Sequence, residues 1–170
     1  SGMLSLFRSP EAISSGIVGT LSTTAPIKPE NVTFEEAAGL PIGSMTALYI
    51  LKKANIKQDE KILIYGASGS VGTYAVQLSN HYFDAEVTGV CSTSNLEMVK
   101  SLGVDTVIDY TQEDFTQKGQ TYDVIFDTVG KTSVPRSVGL LKKDGSYLLV
   151  TFGLPTLMQL LWLSVTSSYH

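Results

Sequence analysis

Ile62-Leu63-Ile64-Tyr65-Gly66-Ala67-Ser68-Gly69-Ser70-Val71-Gly72 is the stretch that decides the fold. Four apolar residues run into a glycine-rich turn, and Val71, Ala75, Leu78 and Tyr82 then recur at helical spacing. That is strand, tight loop, helix. Read as G-x-G-x-x-G, the loop has Ala67 in the first position, with Gly66 just before it, Gly69 in the second and Gly72 in the third. Each position has a physical reason. Gly69 lets a ligand approach the backbone with no Cβ in the way, and Gly72 lets the helix pack tightly on the sheet. The helix N-terminus presents free N–H groups and a partial positive charge. Such a loop suits a pyrophosphate, so Ala67, Ser68, Gly69, Ser70, Val71 and Gly72 form a candidate dinucleotide cradle. A nucleoside-triphosphate loop needs a lysine before its hydroxyl residue, and Gly72-Thr73-Tyr74 lacks it.

The pattern repeats outward from this core. Strands are expected at Glu86–Cys91, Thr106–Ile108, Val124–Phe126 (flanked by Asp123 and Asp127) and Tyr147–Val150, with a possible short strand near Gly16–Leu21. Ser94 and Glu97 read as a capping box before a helix that turns Leu96, Val99 and Leu102 inward. Val134–Leu141 reads as a short helix with Pro135 in its first turn. Upstream, Thr33 and Glu36 form a second capping box, Pro41 and Gly43 are expected to break that helix, and Ser44 to cap a new one carrying Ala47, Leu51 and Ala54 on one face. Nearly unbroken apolar strands alternating with helices indicate an α/β Rossmann domain: a doubly wound parallel sheet covered on both faces. The expected strand order is 3-2-1-4-5-6. Five strands are legible and the chain ends before a sixth, so the sheet reads as truncated. Residues 1–30, rich in Ser, Thr, Gly and Pro, read as an irregular segment or a remnant of another domain, and 31–170 as the dinucleotide-binding unit.

Composition narrows the function. The chain has 170 residues, 12 Lys and Arg against 16 Asp and Glu, and a net charge of −4. No basic cluster or arm appears, so nucleic acid is not an expected partner. Leu157–Val165 is strongly apolar but too short to span a bilayer, and no membrane association is expected. Cys91 is the only cysteine, which fits a reducing, cytoplasmic setting. One cysteine and two histidines, His81 and His170, cannot build a structural zinc site. Tyr49 and Lys53 have the Y-x-x-x-K spacing of a known catalytic pair, yet they precede the glycine loop where that pair follows it. They read as ordinary helix residues.

The second strand ends Gly89-Val90-Cys91-Ser92-Thr93-Ser94-Asn95, without the carboxylate that holds adenosine ribose hydroxyls in NAD sites. Ser92, Thr93 and Asn95 offer hydroxyl and amide donors to a 2′-phosphate, so NADP(H) is the expected cofactor. No Lys or Arg lies between Ser92 and Met98, and Lys100 reads as solvated.

Four blocks carry a family resemblance: Phe34–Leu51 (FEEAAGLPIGSMTALYIL), Ile62–Leu78 (ILIYGASGSVGTYAVQL), Val107–Tyr110 (VIDY) and Tyr122–Gly130 (YDVIFDTVG). In this order and spacing they resemble the medium-chain dehydrogenase/reductase superfamily, in its zinc-independent quinone oxidoreductase (zeta-crystallin-like) branch. The resemblance implies a two-domain, homodimeric enzyme from which most of a GroES-like catalytic domain is absent here. It implies hydride transfer from NADPH to a quinone or enone, with this chain alone not active. It assigns Thr46 near the nicotinamide, Gly69, Ser70 and Val71 to the pyrophosphate, Tyr110 to the 2′-phosphate site, Val129 and Gly130 to the adenosine half, and Thr151, Phe152 and Gly153 near the nicotinamide. Asn95 falls where some such enzymes have a phosphate-binding lysine. Zinc-dependent relatives place a cysteine ligand about twenty-five residues ahead of the first glycine-loop position, which here is Ile42. No acid, base or nucleophile in the chain is indispensable on sequence grounds. The other readings are a non-catalytic NADPH-binding sensor or structural protein, and an inactive fragment.

Overall fold

The structure, a computed structural model, describes residues 34–130 and 134–150, with side chains from residue 42 onward. The elements are α1 (Phe34–Lys53), β1 (Lys61–Tyr65), α2 (Ser70–His81), β2 (Glu86–Cys91), a 3-10 turn (Thr93–Asn95) leading into α3 (Leu96–Ser101), β3 (Thr106–Asp109), β4 (Tyr122–Asp127), α4 (Val134–Val138) and β5 (Leu141–Leu149). The strands form one sheet in the order β3-β2-β1-β4-β5, and every neighbouring pair is parallel. The chain therefore winds from β1 outward to β3, then returns to lay β4 on the other side of β1. The expected doubly wound order holds for all five strands described.

The pleat distributes the core to two faces. Ile62 and Ile64 of β1, Val87 and Cys91 of β2, and Val124 and Phe126 of β4 join Leu51, Ala75 and Leu78 in one cluster. Leu63, Val90, Ile108 and Ile125 join Phe115 and Leu140 in the other. Each fully buried side chain of this size contributes about 1.5–3 kcal/mol relative to exposure. Tyr122 sits with the second cluster although Val124 and Phe126 sit with the first. The β4–β5 register shifts between Tyr122 and Val124, which breaks the period-two alternation there.

Several expectations are corrected. Pro41 and Gly43 do not end a helix: α1 runs through both, from Phe34 to Lys53. A proline costs a helix a hydrogen bond, but α1 packs along α2, and that packing outweighs the local penalty. Gly43 is an inter-helix contact, since a Cβ there would lie 2.8 Å from the Tyr74 ring and 3.0 Å from the Ser70 carbonyl oxygen. Ser44 is buried in mid-helix and is not a cap. Ala47 and Leu51 do face the core, with Ala54 packed at its edge.

α2 is buried on more than one stripe. Tyr74, Val76, Gln77 and Ser79 are buried with Ala75 and Leu78, while Tyr82 lies past the helix end and is exposed. The Ser94–Glu97 capping box is not made: no side chain caps α3, the Ser94 hydroxyl meets that of Ser92 at 3.1 Å, and Glu97 pairs with Lys100 at 2.9 Å. Val99 is nevertheless buried, with Leu96 and Leu102 packed around it. β4 takes in both Asp123 and Asp127, and α4 stops at Val138 so that β5 begins at Leu141. The Asp123 carboxylate accepts from Lys61 N–H at 2.8 Å and from Lys142 Nζ at 2.7 Å, tying β1 and β5 to β4 at the end of the sheet away from the glycine loop. The Gly16–Leu21 strand, the Thr33–Glu36 capping box and the Leu157–Val165 segment lie outside the described residues and side chains.

Candidate dinucleotide site

The glycine loop leaves the C-terminal end of β1, next to the point where the strand order reverses, between β1 and β4. In open α/β sheets that crevice is where ligands bind. The Gly66 and Ala67 N–H groups both donate to the Val90 carbonyl at 3.0 Å, which locks the loop to β2. Gly66 has φ +82, and a Cβ there would meet Val129 at 2.4 Å and Thr128 at 2.5 Å. A Cβ on Gly72 would lie 2.1 Å from the Gly66 carbonyl oxygen. The third glycine is thus demanded by the loop's own backbone and not, as expected, by contact between helix and sheet. Gly69 differs: a Cβ there would have one near neighbour, the Gly66 oxygen at 3.3 Å.

Gly69 is the N-cap of α2, with extended backbone, no side-chain cap and no acidic residue in the first turn. The first helical hydrogen bond runs from Thr73 N–H to the Gly69 carbonyl, 2.9 Å. The N–H groups of Ser70, Val71 and Gly72 therefore precede the helix's internal bonding. Ser70 and Val71 stand in the wall of a cleft of about 790 Å³, lined also by Ser68, Gly69, Ser92, Asn95, Tyr110 and Val129, all named from sequence, and by Tyr65, Gly66, Cys91, Thr128 and Val150.

Other candidates stand apart. Ala67 is fully buried beneath the loop, Gly72 is buried behind it, and Thr46 is half-buried on α1 outside the cleft lining. Gly130 lies just past the lining, its N–H held by Asp127 at 2.8 Å. Thr93 is not in the lining, because its hydroxyl is turned to Asp109 and to Thr111 Oγ1 at 2.9 Å. Thr151, Phe152 and Gly153 lie outside the described residues.

The polar wall is pre-formed. Asn95 Nδ2 donates to Ser92 Oγ at 3.1 Å and to Ser68 Oγ at 3.3 Å, so the amide bridges the β2 end to the glycine loop. Opposite, Tyr65 packs between Tyr110 and Phe115, with ring centroids 6.2 and 5.5 Å away. Burial raises the pKa of its phenol, helped by the negative charge of Asp127 and by Tyr110. Burial also raises that of the Cys91 thiol, with Asp109 adding to it. Cys91 is a protonated packing residue in a strand.

Asp127 fixes the remaining edge. Buried at the end of β4, it accepts from Val129 N–H at 2.9 Å, Gly130 N–H at 2.8 Å and Tyr147 hydroxyl at 2.8 Å. Thr128 Oγ1 donates to the Tyr65 carbonyl at 2.9 Å, stitching the same loop to β1. Asp127→Ala strands two backbone donors and should cost about 2 kcal/mol in urea unfolding, whereas Tyr147→Phe, which removes one hydroxyl, should cost about 1 kcal/mol. The motif does not name Tyr65, Gly66, Cys91, Thr128 and Val150 as cleft residues. The one sequence signal for them is their position at strand ends beside the loop.

Tyr49 and Lys53 sit on α1 outside the cleft, the Lys53 ammonium 4.6 Å from the Tyr49 ring centroid. Among the described residues there is no group of three His, Cys, Asp or Glu placed to hold a metal. None of the described helices is long and apolar enough to cross a membrane.

Comparison with known proteins agrees with this geometry. Residues 70–166 match the family described as zinc-binding dehydrogenase. The chain is 40% identical over 126 residues to 2-methylene-furan-3-one reductase of Solanum lycopersicum, covering 74% of this chain and 32% of that protein. It is 36% identical over 126 residues, with the same two coverages of 74% and 32%, to NADPH-dependent alkenal/one oxidoreductase, chloroplastic, of Arabidopsis thaliana. Among solved structures, the quinone oxidoreductase of Thermus thermophilus, studied alone and in complex with NADPH, superposes with a TM-score of 0.66 at 28% identity, covering 79% of this chain and 46% of that one. The chain spans about a third of the length of these curated relatives, 32% in both cases.

Proposed function

This chain belongs to the zinc-binding dehydrogenase family, in the quinone oxidoreductase-like branch of the medium-chain dehydrogenase/reductase superfamily, and on that premise we propose that it is the NADP(H)-binding part of a reductase that passes hydride to a quinone or enone. The observation that carries the reading is the uncapped start of α2. The helix dipole and the first-turn residues Ser70 and Val71, whose N–H groups precede the helix's internal bonding, face a cleft, and the glycine at the N-cap lines it with a single near neighbour to a Cβ.

The residues fit a dinucleotide along its length. Gly69, Ser70 and Val71 would hold the pyrophosphate at the start of α2, with Gly72 behind them keeping the turn tight. Ser92, Asn95 and Tyr110 would surround the adenosine 2′-phosphate. Val129 and Gly130, held by Asp127, would wall the adenosine half, and Thr46 with Thr151, Phe152 and Gly153 would border the nicotinamide. Thr93 takes part in this reading only through its backbone, since its hydroxyl is committed to Asp109.

The dihydronicotinamide supplies the hydride when bound. What this chain contributes is orientation and an apolar wall. Tyr65, Val71, Val129 and Val150 supply apolar lining to the cleft. The substrate's other wall would come from a further domain of a longer protein. The expected homodimer would form at the β5 side, the edge of the described sheet.

We read the enzyme as zinc-independent, because the isoleucine side chain of Ile42 carries no metal-binding atom where zinc-dependent relatives have a cysteine ligand. The enone side of the substrate class is supported by the names of the tomato and Arabidopsis relatives, and the quinone side by that of the Thermus structure. The lone buried cysteine supports a reducing compartment such as the cytoplasm.

The longer protein containing this chain should oxidise NADPH in the presence of quinones or α,β-unsaturated ketones, and added chelator should not change the rate. A panel of both classes that left NADPH untouched would overturn the enzymatic reading. Inhibition by chelator, reversed by zinc, would overturn zinc independence.

A further inference from the structure

We propose that Asp109 is a specificity-determining residue whose carboxylate, tied to Thr93 at the end of β3, opposes the adenosine 2′-phosphate and narrows the margin by which NADPH is held over NADH. The inference rests on the cofactor reading above and goes beyond it. That reading draws NADP preference from the absence of a carboxylate at the end of β2. The fold brings one alongside, at the end of the neighbouring strand, behind Thr93 and next to the cleft residue Tyr110. Asp109 pairs in register with Cys91, the residue before Ser92, and is itself followed by Tyr110. The Tyr110 N–H donates to the Cys91 carbonyl at 3.1 Å, which closes the β2 and β3 ends together.

The carboxylate is buried to 9% exposure and fixed from two sides. Thr93 Oγ1 donates to it from the β2 side, and Thr111 donates to it through N–H at 2.9 Å and Oγ1 at 2.7 Å. The Thr93 hydroxyl bond, more than the Thr111 bonds, holds its pKa below the ordinary carboxylate value, so it is charged at neutral pH. Thr93 and Thr111 both occupy it through hydroxyl and backbone donors, leaving little capacity for ribose hydroxyls, whereas its charge remains.

The donors around the 2′-phosphate position, Ser92 and Asn95, are neutral. Lys100, the nearest lysine in sequence, is exposed and paired with Glu97 at 2.9 Å. A 2′-phosphate brings nearly two negative charges. Across about 6–10 Å in a water-like dielectric, the repulsion between those charges and the carboxylate corresponds to a factor of about three to ten in affinity. NADH, with hydroxyls at that position, escapes it.

The test is fluorescence titration of the full chain, unaltered and as Asp109→Asn, with NADPH and with NADH. Asparagine keeps the shape and most of the hydrogen bonding and removes the charge. Expected is NADPH binding tightened about three- to tenfold with NADH changed by less than about twofold. Unchanged NADPH binding, or equal gains for both cofactors, overturns the proposal.

A second measurement needs no variant. Raising salt from about 0.01 M to about 1 M shortens the Debye length from about 30 Å to about 3 Å. The NADPH-to-NADH affinity ratio of the unaltered chain should then rise severalfold, and a flat or falling ratio contradicts the proposal even if the variant does not fold. Binding of neither cofactor by the unaltered chain would instead overturn the cofactor reading on which the proposal stands.

Discussion

Gly72→Ala should cost more than about 3 kcal/mol of stability, above the usual range for an overpacked site and a large part of what a domain of this size possesses. The added methyl would stand 2.1 Å from the Gly66 carbonyl oxygen. That carbonyl cannot retreat. It accepts from Gly69 N–H at 2.9 Å and from Thr128 Oγ1 at 3.3 Å, and the N–H groups on either side of it are both bonded to Val90. Relief would require lifting the whole turn from β2 or shifting the start of α2. Urea unfolding followed by far-ultraviolet circular dichroism measures the loss. A change under about 1 kcal/mol would mean that the turn yields in a way its hydrogen bonds do not allow.

Gly69→Ala should behave in the opposite manner. Its Cβ would meet one atom, at 3.3 Å, and would otherwise project into the cleft. Its backbone is already extended, with φ −77. Stability should therefore change by less than about 1 kcal/mol. The methyl would hold a pyrophosphate away from the amides of Ser70 and Val71. Hydrogen bonds to a charged group are worth about 1.5–3 kcal/mol, so NADPH affinity should fall by about 10- to 100-fold. Comparing the unfolding midpoint with NADPH affinity for this variant separates the two glycines. If Gly69→Ala unfolded the chain, or bound NADPH as tightly as before, the division between a folding glycine and a ligand glycine would be wrong.

That division is half legible in the sequence. The motif names both glycines, but only the loop geometry shows that a Cβ on Gly72 would clash with the Gly66 carbonyl at 2.1 Å, whereas one on Gly69 would make a tight contact with the same oxygen at 3.3 Å, relieved by a shift of a few tenths of an ångström. Central strands are legible because both their faces are buried. The bounds of Glu86–Cys91 match the expectation, and Ile62–Tyr65 gains one residue. The sequence reading of β5, Tyr147–Val150, is too short, because Lys142, Lys143 and Asp144 look like a turn. They lie exposed in the register shift between β4 and β5, where Tyr122 pairs with Leu141 and Val124 with Ser146, so no apolar alternation marks them. The helix break at Pro41 fails for the complementary reason: local propensity yields when a helix is packed along a neighbour.

The site shows the same split. Residues contiguous with the glycine loop or the end of β2 are found from pattern alone. Pattern also assigns Thr93 to a phosphate, because hydroxyls at that position suit one, while its actual partner, Asp109, is separated by 16 residues and belongs to the next strand. Register between strands brings them together, and single-sequence reading does not see register.

The central claim is that the start of α2 is the pyrophosphate seat of an NADP(H) site. The measurement that tests it most directly is a titration of the full chain with NADPH, following the backbone amide resonances by NMR. Saturable shifts are expected, largest at Gly69, Ser70 and Val71, with smaller ones at Ser92, Asn95 and Tyr110. Saturable binding that moved other amides and left the α2 start unchanged would contradict the account, and so would the absence of saturable shifts anywhere.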